Sequence, residues 1–486
     1  MKQIFILFLL FFSLQAQKIE VIDFDLYKIT PDSVHKSQNL AKNPTDSAQD
    51  LRADFSAPAL LILSGIQGDE PGAFNATSIF IRHYRIKNGA VWVVPNLNQH
   101  SILKNHRGIY GDMNRKFADL AVNDPEYATI QRIKALILDE SVGTILHLHD
   151  GSGFYRERYI SALLNPHRWG NCSIIDQDTL FSENDLNMRI SAIIAHINDN
   201  LLDELHRYRI RNTHTAQGDS EQSKSLTYFA TTHKKMAFAS EASKSLLLDR
   251  RVYYHLLAIE GALMNFGIEF ERDFALSLPN IRALINDKDA NIDIEGIIKF
   301  PLHGIKSQLN YFPFPKDSPN PQKLAQKSQN LAPDSAKNNI SFHSNNPIIW
   351  LFKDGTNYRI KNGNRALVAL KPFFIDFDKS LEEVDLVVDG AEVRVKIGSV
   401  VKVARSFEVK NLPYRVNVIG YPGRGSEVGI EIKRNDLMGK FAINKANTKF
   451  RVEFYKADSA ENITDSATRT KTAEKFSGMI IIDFSE

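Results

Sequence analysis

The apolar residues in the first half of the chain fall into short continuous runs separated by helical patterns. Leu60, Leu61, Ile62 and Leu63 follow one another within residues 57–65, as they would in a strand buried on both faces. A sharp turn comes next, and Pro71 then stands at a first helical position ahead of Phe74, Ile79, Ile81 and Tyr84 at loosely helical spacing. The same reasoning predicts strands over 91–94, 144–148 and 236–239 and helices over 126–138, 186–202 and 246–266. Alternation of this kind predicts an α/β fold, a central sheet flanked by helices.

Beyond residue 275 the texture changes to period-two strands, predicted over 384–388, 392–397, 400–403, 414–418, 428–432, 450–454 and 479–482. The simplest division is a first unit over 17–275 and two small all-β domains, 276–400 and 401–486, the second sandwich-like. Residues 33–52, 313–346 and 456–475 are polar and poor in large apolar side chains, so they read as surface insertions without a core of their own. The first two share the run Lys-Ser-Gln-Asn-Leu-Ala, at 36–41 and 327–332.

Lys2, the apolar run 4–14 and the small residue Ala16 follow the order of a secretory signal, which predicts cleavage after Ala16 and an exported protein. The run is short for a bilayer span. Composition adds little: 43% hydrophobic and 24% charged residues are those of a globular chain. Lys and Arg total 60 against 57 Asp and Glu, a balance of +3 that gives no pull toward nucleic acid. Cys172 is the one cysteine, so an intrachain disulfide is excluded, and it reads as a small buried residue.

Four clusters carry candidate chemistry. Gly65-Ile66-Gln67-Gly68-Asp69-Glu70-Pro71 closes the first apolar strand, where α/β proteins build their sites. Arg107 and Asp112-Met113-Asn114-Arg115-Lys116-Phe117 form a cationic loop suited to an anion, since Arg can grip a carboxylate with paired hydrogen bonds. His147-Leu148-His149 ends the 144–148 strand beside Gly151-Ser152-Gly153, and the two rings are expected on opposite sides of it. Glu241 closes another apolar strand and could serve as a general base near a metal-activated water.

In this order the clusters resemble the zinc metallocarboxypeptidases of the carboxypeptidase A kind, over about residues 55–270. The most specific part is Gln67-x-x-Glu70, the Asp-x-Asn-Arg-x-Phe run 112–117, His149 and Glu241. The resemblance implies a carboxypeptidase-like mixed sheet. Gln67, Glu70 and His149 would be Zn²⁺ ligands, and Glu241 and Arg107 catalytic base and oxyanion stabiliser. Asn114 and Arg115 would bind the substrate's terminal carboxylate.

The family's first ligand is His, and Gln67 departs from it. His147, placed among the substrate-binding residues, is also expected to accept a hydrogen bond from the Gln67 amide, with Gln67→His, with and without His147→Asp, as the test. The Gln-x-x-Glu form, a signal and two trailing β domains resemble a narrower group: D,L-carboxypeptidases of helical and curved Gram-negative bacteria. Those enzymes trim periplasmic murein tripeptides at the γ-D-Glu–diaminopimelate bond and so set cell shape. The implied partner is a peptidoglycan stem peptide, with cell-shape proteins as further partners through the β domains; Thr227 and Tyr228 are candidates for reading the D-centre and the diaminopimelate amine. Two other readings stand beside it. A deacylase on the same scaffold would lack export and the β domains, and a binding module that has lost catalysis would have no reason to keep Glu241.

Overall fold

The structure, a computed structural model, describes residues 24–31, 58–316, 340–410, 412–423, 425–457 and 474–485. The expected signal over 1–16, the insertion 33–52 and most of the other two insertions lie outside the described residues.

The first unit is built on a seven-stranded mixed sheet: β1 (Tyr27–Ile29), β2 (Ala59–Leu63), β3 (Val91–Val94), β4 (Val142–Gly151), β5 (Cys172–Ile175), β6 (Arg209–Asn212) and β7 (Met236–Ser243). Their spatial order is β1-β3-β2-β4-β7-β5-β6. The central four, β3-β2-β4-β7, are mutually parallel, whereas β1 and β5 run antiparallel to their neighbours β3 and β7.

The continuous apolar runs have the predicted cause: the sheet is covered on both faces. Leu60, Ile62, Leu146, Leu148 and Phe238 pack under α1 (Pro71–His83), α4 (Asp185–Asp199) and α6 (Leu248–Asn265). Leu61, Leu63, Ile145 and Ala237 face α3 (Tyr127–Leu138) and α5 (Leu226–Thr232). Between α1 and α3 lies the short α2 (Gln99–Lys104), capped by Asn98, whose side chain accepts from Ser101 N. Each fully buried Leu or Ile of these layers contributes about 1.5–3 kcal/mol.

This unit runs past the expected limit at 275. α7 (Leu278–Asn286) buries Ile281 in the same core as α6, and Arg82 of α1 pairs with Asp287 at 2.8 Å. Two two-stranded ribbons complete the first unit, and among the described residues the strands beyond residue 290 form one three-stranded and three four-stranded sheets. Their apolar residues, from Ala290 to Ile482, make one continuous core. The expected boundary at 400 would cut a sheet, because Glu383–Val388 pairs with Ala391–Lys396 on one side and with Ser406–Val409 on the other. The ends of the expected insertion 313–346 are also ordered: Gln308–Pro315 is a strand, and Phe342–Ser344 pairs with Asn291–Ile294.

The strand Ile349–Asp354 and its neighbours seat this region on the first unit. Ile348 and Trp350 pack with Phe74 of α1 and with Ile102 and Leu103 of α2. Lys361 Nζ donates to Leu103 O at 2.6 Å, and Asn364 Nδ2 to Asn105 Oδ1 at 2.7 Å. The elements that carry the first two clusters are therefore held from behind by the β region.

Candidate active site

All four clusters meet at the carboxyl ends of β3, β2, β4 and β7, around a cavity of about 240 Å³. Topology explains the convergence, since the ends of adjacent parallel strands lie along one sheet edge and each strand hands its chain to a loop there. Register does the fine placement. Glu241 on β7 lies beside His149 on β4, and His147 lies beside Leu63 at the end of β2. Gly68 is required in the turn after β2, because a Cβ there would overlap the backbone of Ser101 in α2. Gly151 makes room for Glu241, whose Oε2 would be 2.7 Å from an added Cβ.

His147 and His149 do not point to opposite sides. Residues two apart on a strand share a face, and both rings turn toward the α5 side, with centroids 4.9 Å apart. Their nitrogens form a chain: His149 Nε2 is 2.8 Å from His147 Nδ1, and His147 Nε2 is 2.7 Å from Thr227 Oγ1. Two relays satisfy both contacts: Thr227 O–H donating to His147 and His147 Nδ1–H to His149, which lets His149 Nδ1–H donate to Glu70 Oε2 at 3.0 Å, or His149 Nε2–H donating to His147 and His147 Nε2–H to Thr227, which leaves the His149 Nδ1 lone pair for a cation. Both nitrogens of His147, which lines the cavity, are used by protein groups, and its bond to His149 orients that ring.

The expected pairing of Gln67 with His147 is also corrected. Gln67 Nε2 donates to Asp112 Oδ1 at 2.8 Å, and its Oε1 is buried with no hydrogen-bond partner. A carboxylate only accepts, so Asp112 fixes the amide with its nitrogen toward Asp112 and its oxygen free. Asp112 Oδ2 also accepts from Arg107 Nη2 at 2.8 Å and Nε at 3.2 Å, and Oδ1 from Asn114 N at 3.0 Å. Burial opposes ionisation of Asp112, but Arg107 and Gln67 outweigh it and hold its carboxyl below the usual range.

Electrostatics single out the same residues. Burial, with Asp150 nearby, pushes Glu70 up to about 8 against the pull of Lys244 and Arg107. Burial and the Glu70 and Asp150 charges raise Glu241 well above an ordinary glutamate. Burial and Arg107 lower His149 to about 3. Crowded carboxyls beside a neutral imidazole are what a cation would relieve.

The donor set fits a metal ion: an orphaned amide oxygen, a carboxylate and an imidazole lone pair, from Gln67, Glu70 and His149. Among the described residues no group of three or more His, Cys, Asp or Glu side chains is placed to share an ion; this set has two such residues completed by an amide. Asn114 Oδ1 accepts from Leu226 N at 3.0 Å, fixing the start of α5 against the Arg115 loop, and Arg115 lies 4.0 Å from Glu221. Asn114, Arg115 and Thr227 line the cavity with Gln67, Glu70, Arg107, His147, His149 and Glu241. Tyr228 is not among its lining residues.

Three lining or supporting residues carried no signal in the sequence reading. Lys244 stands in the turn just after β7, and Trp169 comes from the loop before β5, its ring 3.6 Å from the Arg211 guanidinium. Asp150 is buried, binding Gly72 N, Arg251 and His255, and ties α1 and α6 to the end of β4.

A family model described as the catalytic domain of a carboxypeptidase controlling helical cell shape matches residues 18–286. This chain belongs to that family. A second model, described as the C-terminal domain of a metallo-carboxypeptidase, matches residues 377–485. Among solved structures the chain is similar to the apo form of the cell shape determinant Csd4 from Helicobacter pylori. Identity is 42% over 95% of this chain and 100% of that one, with a TM-score of 0.80. The tripeptide-bound form of the same protein matches at 42% identity and a TM-score of 0.79 over the same shares. Its mDAP-bound form, described as a D,L-carboxypeptidase, matches at 42% and 0.80 over 94% of this chain and 100% of that one. Curated protein sequences give no match. The cell-shape carboxypeptidase family makes this chain a metallocarboxypeptidase, with the α/β sheet and trailing β region described above.

Proposed function

We propose that this cell-shape carboxypeptidase is a zinc enzyme acting in the periplasm, a D,L-carboxypeptidase that removes diaminopimelate from murein tripeptides and leaves dipeptides. The observation that carries the reading is the convergence of Gln67 Oε1, Glu70 and His149 Nδ1 beside Glu241 and Arg107. Likeness over the whole length of a relative solved with a tripeptide and with mDAP supports the substrate class. The apolar run 4–14 supports export.

Gln67, Glu70 and His149 would hold zinc, an ion suited to mixed N and O donors with a position left open. Bound there, it supplies a Lewis acid and lowers the pKa of water toward neutrality. Glu241 accepts the proton of the attacking water and returns it to the departing amine. Arg107, fixed by Asp112 at the cavity mouth, donates toward the oxygen on which negative charge develops. Arg115, with Asn114 beside it, binds the carboxylate of the residue released, which confines cleavage to a chain end. The β region offers surfaces for cell-shape partners.

The test is zinc content and product mass after incubating the purified protein with L-Ala-γ-D-Glu-diaminopimelate, beside a Glu241→Ala control. Release of diaminopimelate by zinc-loaded wild type, lowered at least about 100-fold in the control at equal zinc content, is expected. Binding of the tripeptide without cleavage would replace the enzyme reading with a peptide-binding one.

A further inference from the structure

The cavity holds three cationic side chains, Arg107, Arg115 and Lys244. Arg107 is engaged by Asp112, and Arg115 stands beside Glu221 ahead of α5. Lys244 lies elsewhere. Its Nζ donates to Asp69 Oδ2 at 2.7 Å and is 3.6 Å from Glu70 Oε1, and its backbone N–H donates to Gly151 O at 2.7 Å. Its partners thus belong to the turn after β2 and the end of β4, whereas Arg115 belongs to the loop that Asn114 ties to α5. An ammonium donates several hydrogen bonds, and with 31% of its side chain exposed Lys244 keeps donors for a ligand.

A γ-linked D-glutamyl group has a chemical mark. Because its side-chain carboxyl forms the scissile amide, its α-carboxylate stays free on the acyl side of that bond. The substrate therefore presents anions on both sides of the scissile carbonyl, and Arg115 can take only the one on the leaving residue. We infer that Lys244 is a specificity residue that binds the free α-carboxylate of the γ-linked D-glutamyl group. The inference rests on the tripeptide reading above. Asp69 serves it as a positioning residue, holding the ammonium on the acyl side of Glu70.

The experiment compares kcat/KM for L-Ala-γ-D-Glu-diaminopimelate with that for the analogue whose D-Glu α-carboxyl is amidated, in wild type, Lys244→Met and Lys244→Arg, at matched metal content. Wild type is expected to favour the free acid by about 10-fold or more, the ratio to fall to about 1–2 in Lys244→Met, and Lys244→Arg to keep it. An unchanged ratio in Lys244→Met, or loss of both substrates in proportion, would make Lys244 a prop for Asp69 and Glu70 and overturn the inference. If wild type cleaves both substrates equally, the inference alone falls; if it cleaves neither, the tripeptide reading falls with it.

Discussion

Asp112 serves two neighbours with one carboxylate: through Gln67 it settles which end of an amide faces the site, and through Arg107 it holds the cation at the cavity mouth. Asp112→Ala should therefore weaken metal binding by about 10- to 100-fold, read by competition with a chelator, and lower kcat more than it raises KM. A second residue-scale prediction lies away from the chemistry. Burial lifts Asp25 to about 6, with Asn96 opposing. A carboxyl whose folded pKa is raised holds its proton better when folded, so stability falls as pH climbs from about 4 to 6. Asp25→Asn should melt like wild type below pH ~4 and be more stable above pH ~6 by about 1–3 kcal/mol, checked by thermal unfolding across that range. Residue types and their order made Gln67, Glu70, Asn114, Arg115, His149 and Glu241 legible, and the structure gathers them around one cavity. Their supporting partners were not legible. The roles of Asp112 and Lys244 depend on which side chains meet across loops, and His147 and His149, two apart on one strand, share a face instead of opposing each other.

Strand identity followed from apolar runs because the sheet is sandwiched, and the central strands over 57–65, 91–94, 144–148 and 236–239 stand where the pattern put them. β5 and β6 escaped for a physical reason: they are short, and β6 carries Arg209, Arg211 and Asn212 on a half-buried edge. Nothing in them alternates strongly enough to announce a strand. Longer-range pairing likewise lengthens β7 past residue 239 to Ser243, which brings Glu241 onto the strand itself. Glu241 is thus held between paired strands on both sides, and the room it needs is set by the neighbouring strand. Gly151→Ala should displace Glu241 and Trp169, cutting kcat at least about 10-fold while far-UV circular dichroism and metal content stay near wild type.

At the scale of the molecule the β region is a brace. Trp350 and Ile348 fill the angle between α1 and α2, the elements that follow and precede the Glu70 and Arg107 segments. Trp350→Ala should cost about 3–5 kcal/mol in denaturant unfolding, and it should reduce activity although the residue lies outside the cavity. This dependence was hidden in the sequence, where the change from helical to period-two texture gave a boundary but no account of what packs across it.

The single imidazole among the three proposed donors has a consequence for proton competition. An amide does not titrate, and His149 at about 3 is already neutral across the mildly acidic range, so Glu70, near 8, is the donor whose proton an arriving ion must expel. Metal uptake at pH 6 should therefore release about one proton, measurable by calorimetry in buffers of different ionisation enthalpy. Gln67→His adds a second group able to hold a proton there, and uptake by that variant should release more and lose affinity more steeply on acidification. With glutamine in place of histidine, the proposed centre should lose metal less steeply on acidification.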